Sequence, residues 1–64
     1  MKKSLNRQAF LASIRVRNIY KDWEFYNLPA DATDWEVFRS ICAEVARECG
    51  VSLRRAKWAV QKYI

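Results

Sequence analysis

The densest chemistry in this 64-residue chain lies near its end. Arg54, Arg55, Lys57, Trp58, Gln61 and Lys62 fall close together there, with no acid among them. A guanidinium can bind guanine through two parallel hydrogen bonds, and a carboxamide can pair with adenine in the same bidentate manner. Lysine adds point charges suited to phosphate. On a helix, at about 100° per residue, these side chains share one face, opposite Leu53, Ala56, Ala59, Val60, Tyr63 and Ile64. Such a face suits base readout as well as phosphate contact. The plain alternative is a solvated helix that is merely basic. Trp58 falls near the middle of the polar face, where an indole in water is an odd choice. Three roles are open for it: contact with a DNA groove through a thymine methyl or a sugar, contact with a protein, or a core role beneath a folded-over N-terminal segment.

Catalytic chemistry finds no such support. The sequence has no His, no Gly-rich phosphate loop, no Cys–His pair and no cluster at metal-ligand spacing. No catalytic residue, cofactor or metal is therefore expected. Asp31, Asp34 and Glu36 lie close together, but they read as acids at the start of a helix. Glu44 and Glu48 read as part of that helix's solvent face. Cys42 and Cys49 are separated by about 10 Å of helical rise, beyond disulfide reach. Both fall on an apolar stripe and read as buried, reduced thiols, which fits a reducing, cytoplasmic compartment.

The net charge of +5 is less informative than its distribution. Residues 1–21 hold six cations (Lys2, Lys3, Arg7, Arg15, Arg17, Lys21) and no acid. Residues 22–48 hold all seven acids against Arg39 and Arg47, and residues 49–64 add four further cations without an acid. That order predicts an electropositive footprint built from the two ends of the chain. The first ten residues lack the apolar run and cleavage site of a signal peptide, and no stretch is long and apolar enough to span a membrane.

These groups must be positioned by helices, because one Gly and one Pro in the whole chain leave little punctuation for anything else. The clearest helix covers 33–49. Thr33 and Glu36 have capping-box spacing, and Trp35, Phe38, Ile41, Cys42, Val45, Ala46 and Cys49 recur at helical steps. Gly50 follows where a left-handed residue closes a helix. After a turn at 50–52, Ser52 caps a second helix over 53–63. The N-terminal segment predicts a helix over about 5–22, with Leu5, Ala9, Ala12, Val16 and Ile19, continued by Trp23 and Tyr26, along one side. Phe10, Leu11 and Ile14 fall outside that stripe and suit self-association. The rival is a short helix followed by a hairpin, since residues 14–17 and 23–25 alternate with period two. Residues 23–32 read as a connector, with a true loop at 27–32 where Leu28 precedes Pro29.

The stretch AEVARECGVSLRRAKWAVQKY, about residues 43–63, resembles the helix-turn-helix of small bacterial and phage DNA-binding regulators. Ala46, Gly50 and Val51 match the small residue, the turn glycine and the apolar wedge of that motif. Val45 and Cys49 match apolar positions of its first helix, and Ser52 matches the N-cap of the second. Ala56 and Ala59 depart from it, standing where larger aliphatic residues are usual. The resemblance implies that the second helix lies in the major groove, with its exposed N-terminal residues at base edges.

Together these features predict an all-α, small three-helix domain with a C-terminal helix-turn-helix and no enzymatic activity. Its expected partner is double-stranded DNA, bound through Ser52, Arg54, Arg55, Lys57, Trp58, Gln61 and Lys62. The expected role is transcription regulation or nucleoprotein assembly. A homodimer or DNA-dependent oligomer would place two reading helices on one duplex. No wing or oligomerisation domain is expected after Tyr63, and a small stand-alone chain of this kind is, by analogy, a phage or mobile-element design. The rival function is an interaction protein that inhibits a host protein through Trp58, Phe10 and Leu11; RNA binding is a weaker third.

Overall fold

Periodicity and capping resolve into three helices: α1 (Leu5–Ile19), α2 (Thr33–Cys49) and α3 (Leu53–Lys62). The computed structural model describes residues 2–19 and 33–64, except for the side chains of Thr33 and Asp34, and no strand occurs among the described residues. Several expectations lie outside them. These are the extension of the first helix to residue 22, the 23–32 connector, the alternation at 23–25, the grouping of Asp31 with Asp34, and the Thr33 side of the capping box.

Helix α1 begins at Ser4, whose carbonyl accepts the first intrahelical bond from the Gln8 N–H at 3.0 Å and whose Oγ faces the Arg7 N–H at 3.5 Å. Residues 14–17 lie inside this helix. Their alternation of apolar and basic residues is therefore not that of a strand: Val16 is fully buried while Ile14, Arg15 and Arg17 are exposed. Ser13 is buried, and its hydroxyl donates to the Phe10 carbonyl at 2.6 Å, which satisfies it within its own helix.

The core is a single cluster drawn from all three helices. Ala9, Ala12 and Val16 of α1 meet Phe38, Ile41, Cys42, Val45, Ala46 and Cys49 of α2, and Ala56 and Val60 of α3. The α2 stripe is buried as its spacing predicts, with Trp35 packed at the edge, 5.2 Å from Phe38 between ring centroids. Two residues assigned to buried faces are exposed instead. Ile19 ends α1 at 52% exposure, and Leu53 opens α3 at 37%. Each sits in a terminal turn, where the neighbouring helices no longer cover the stripe. Phe10, Leu11 and Ile14 stay exposed at 48%, 45% and 38%.

Helix α2 closes through Gly50 at φ +66°, after which the Val51 N–H reaches back to the Ala46 carbonyl at 3.0 Å. That six-to-one bond is the Schellman arrangement, and it satisfies a carbonyl the helix would otherwise leave free. Val51 packs against the core, and Ser52 starts α3 at once. Three residues therefore set how α3 leaves α2. Ala56 is completely buried and Ala59 partly so, so their small side chains let neighbouring helices close over α3.

The acids of α2 hold the chain's beginning in place. Glu44 pairs with Arg15 at 2.8 Å, and Glu48 pairs with Lys3 at 3.4 Å while its carbonyl accepts from the Lys3 N–H at 3.2 Å. They are bridges to α1 and its approach, not a bare solvent face. Both pairs are well exposed and screened by solvent, so each adds little to stability.

Candidate functional site

Ser52 sets the first turn of α3. Its backbone is extended (φ −70°, ψ 155°), its Oγ accepts from the Arg55 N–H at 3.2 Å, and its carbonyl accepts from the Ala56 N–H at 3.0 Å. This cap fixes where Arg54 and Arg55 emerge. With Ala56 and Val60 fixed in the core, the 3.6-residue repeat turns Arg54, Trp58, Gln61 and Lys62 outward. Trp58 is 73% exposed, the most exposed of the large hydrophobic side chains described.

An open groove of about 510 Å³ runs between the start of α1 and this face of α3. Its apolar lining is Leu5 and Ala59, and its polar rim is Asn6, Ser52, Arg54, Arg55 and Lys62, with Trp58 as one wall. A second hollow of about 410 Å³, lined by Trp58, Gln61 and Lys62, shares Trp58 and Lys62 with the groove. The indole thus lines two open recesses. The core role beneath the N-terminal segment is ruled out by this exposure: Leu5 and Asn6 line the groove beside the ring but leave it largely in water.

Of the seven residues singled out from the sequence, five surround one groove: Ser52, Arg54, Arg55, Trp58 and Lys62. Gln61 joins them through the adjoining hollow. Lys57 lies apart on the flank, half-buried, with its ammonium 5.2 Å from the centroid of the Trp35 ring. That cation–π contact ties α3 to the start of α2. Among the described residues, Arg54, Arg55 and Lys62 have no ion-pair partner.

The N-terminal cations divide. Lys3 and Arg15 are held by Glu48 and Glu44. Arg17 donates to the carbonyls of Tyr63 and Ile64 at 2.5 and 3.5 Å, placing a cation where the dipole of α3 favours one. Lys2 lies across Gly50, close to the turn that launches α3. Of the cations expected to form a footprint from both chain ends, Lys2 lies at this turn, while Lys3, Arg15 and Arg17 are engaged within the fold. Asn6 lines the groove without any signal in the sequence, since a polar residue at the start of a helix reads as solvated surface.

Both cysteines are free and buried. Burial pushes the Cys42 thiol up to about 12, and burial together with Glu48 raises that of Cys49. Both are kept as neutral thiols, poor nucleophiles and poor metal ligands. No group of three or more His, Cys, Asp or Glu that could hold a metal occurs among the described residues, and no described helix is long and apolar enough to cross a membrane. No family model, curated protein or solved structure matches the chain.

Proposed function

We propose that this chain binds double-stranded DNA, with α2, the 50–52 turn and α3 acting as a helix-turn-helix and α3 entering the major groove. The observation that carries this reading is the acid-free outer face of α3. Arg54, Arg55, Gln61 and Lys62 are exposed there, and its three cations lack ion-pair partners among the described residues. Cations left unneutralised by their own fold favour a polyanion, because phosphate contact releases the counterions condensed on DNA. The tight Gly50 turn, the small buried Ala46 and the packing of Val51 against the core also support the motif, since together they join α2 to α3 through three residues. A single reading helix gives modest specific affinity, so regulation or nucleoprotein assembly would engage paired copies.

The test is a titration of random duplex DNA at several salt concentrations. Phosphate neutralisation predicts a linear fall of log affinity with log salt, with a slope of roughly −0.9 for each phosphate contacted. Arg54→Ala is expected to cost about 1–3 kcal/mol on preferred sequences and to relax the preference there, whereas Lys62→Ala lowers the slope by about one on every sequence. Absence of salt-dependent binding refutes the proposal. The exposed Trp58 would then favour the second reading, an acidic protein partner held by the same face.

A further inference from the structure

We infer that Trp58 reads the C5-methyl group of thymine, so that α3 selects duplex sites by their methyl pattern as well as by charge. The inference rests on the DNA-binding reading above and adds the base it selects.

The indole is 73% exposed and lines two recesses, with Arg54, Arg55, Gln61 and Lys62 around them. If this face enters the major groove, the ring enters with it, because it lies along the same outer line as Arg54 and Lys62, four residues away on either side. Desolvating an indole against a polar surface gains little, so the ring needs an apolar counterpart. The edges of guanine, cytosine and adenine present mainly hydrogen-bond donors and acceptors in that groove, with no more than ring C–H beside them. The thymine methyl is its one apolar feature. The neighbouring side chains supply what the ring cannot: guanidinium and carboxamide groups for flanking base edges, and ammonium for phosphate. The indole N–H adds a single donor and no acceptor, which leaves shape and apolar contact as its main means of selection.

The experiment compares two short duplexes of identical A·T-rich sequence, one built with thymine and one with uracil. They differ only in the C5-methyl groups. The wild-type chain is expected to bind the thymine duplex more tightly, by about fourfold for each methyl buried against the ring. Trp58→Gln is expected to bind both duplexes equally while keeping the wild-type dependence on salt. Since the ring is largely in water, the variant should melt as the wild type does, and its circular dichroism checks this. Equal wild-type affinity for the two duplexes, with salt-dependent binding intact, overturns the methyl reading and leaves DNA binding standing. Tighter binding to the unpaired single strand also overturns it, by assigning the ring to base stacking. Failure to bind any duplex overturns both.

Discussion

Gly50→Ala tests the turn on which the aim of α3 depends. Two penalties could arise, and their sizes differ. The first is conformational: Gly50 sits at φ +66°, and an L-residue in the left-handed region costs about 1–2 kcal/mol. The second is steric: a Cβ there would lie 2.8 Å from Cδ and Cε of Lys2 and 3.1 Å from its Nζ. The atoms in the way belong to the far end of an exposed, flexible side chain, which can swing aside at little cost. The backbone therefore dominates. Each kcal/mol lowers Tm by about 4–8 °C in a domain this small, so a fall of roughly 5–15 °C is expected. Thermal melts followed by circular dichroism would compare the wild type, Gly50→Ala, Gly50→Ala with Lys2→Ala, and Gly50→Asn. The double variant should melt like the single one, and Asn, which tolerates the left-handed region better, should lose less. An unchanged Tm for Gly50→Ala refutes the left-handed turn. Full recovery on removing Lys2 shows that crowding, and not backbone conformation, excludes a side chain here.

Cys42 is completely enclosed, so Cys42→Ser should destabilise by about 1–3 kcal/mol by putting a hydroxyl in the apolar core, as read by urea unfolding. The native thiols should resist alkylation at mildly alkaline pH and react once denatured, and reducing agent should leave Tm unchanged. Arg15 holds the Glu44 carboxylate below its usual range, mainly through its hydrogen bond and then through its charge. A lowered folded value means the stabilisation is present above the unfolded carboxylate range and is lost as pH falls below about 4.5, through the folded value. Glu44→Gln should flatten the acid limb of the stability profile in that window, and an unaltered limb removes the Arg15 bridge from the account. Phe10, Leu11 and Ile14 leave an apolar patch in water, although the Phe10 ring also meets Tyr63 edge-on at 5.7 Å. We expect self-association, free or on DNA, by sedimentation, with Phe10→Asp folded but less cooperative on DNA. If Phe10→Asp unfolds the monomer, the ring serves the core and the dimer argument fails.

Local rules were enough to read much of this molecule from its sequence. The α2 stripe from Phe38 to Cys49, the Gly50 stop and the Ser52 cap follow from helical period and backbone chemistry, which act within a few residues and leave a regular trace. The outward face of α3 was legible for the same reason: Ala56 and Val60 mark the inside, and the repeat sends Arg54, Trp58 and Gln61 to the other side. The N-terminal segment was harder, because residues 14–17 satisfy a period of two as well as a helical one. Its packing against α2 and α3, which encloses Ala9, Ala12 and Val16, settles that choice in favour of helix.

What only the tertiary structure decided involves partners distant in sequence. Glu44 with Arg15, Glu48 with Lys3, Arg17 with the end of α3, and Lys57 over Trp35 each join different elements, and no spacing announces such a pair. The cations therefore divide between those that brace the fold and those left facing outward, a division that total charge cannot express. Exposure of Ile19 and Leu53 was hidden in the same way, since a stripe shows which residues could be covered but not where the covering helix stops. The sequence placed Trp58 on the polar face. Only the packing of α1 beside α3 determined that nothing in the described fold closes over its ring, because burial belongs to surfaces brought together and not to a residue alone.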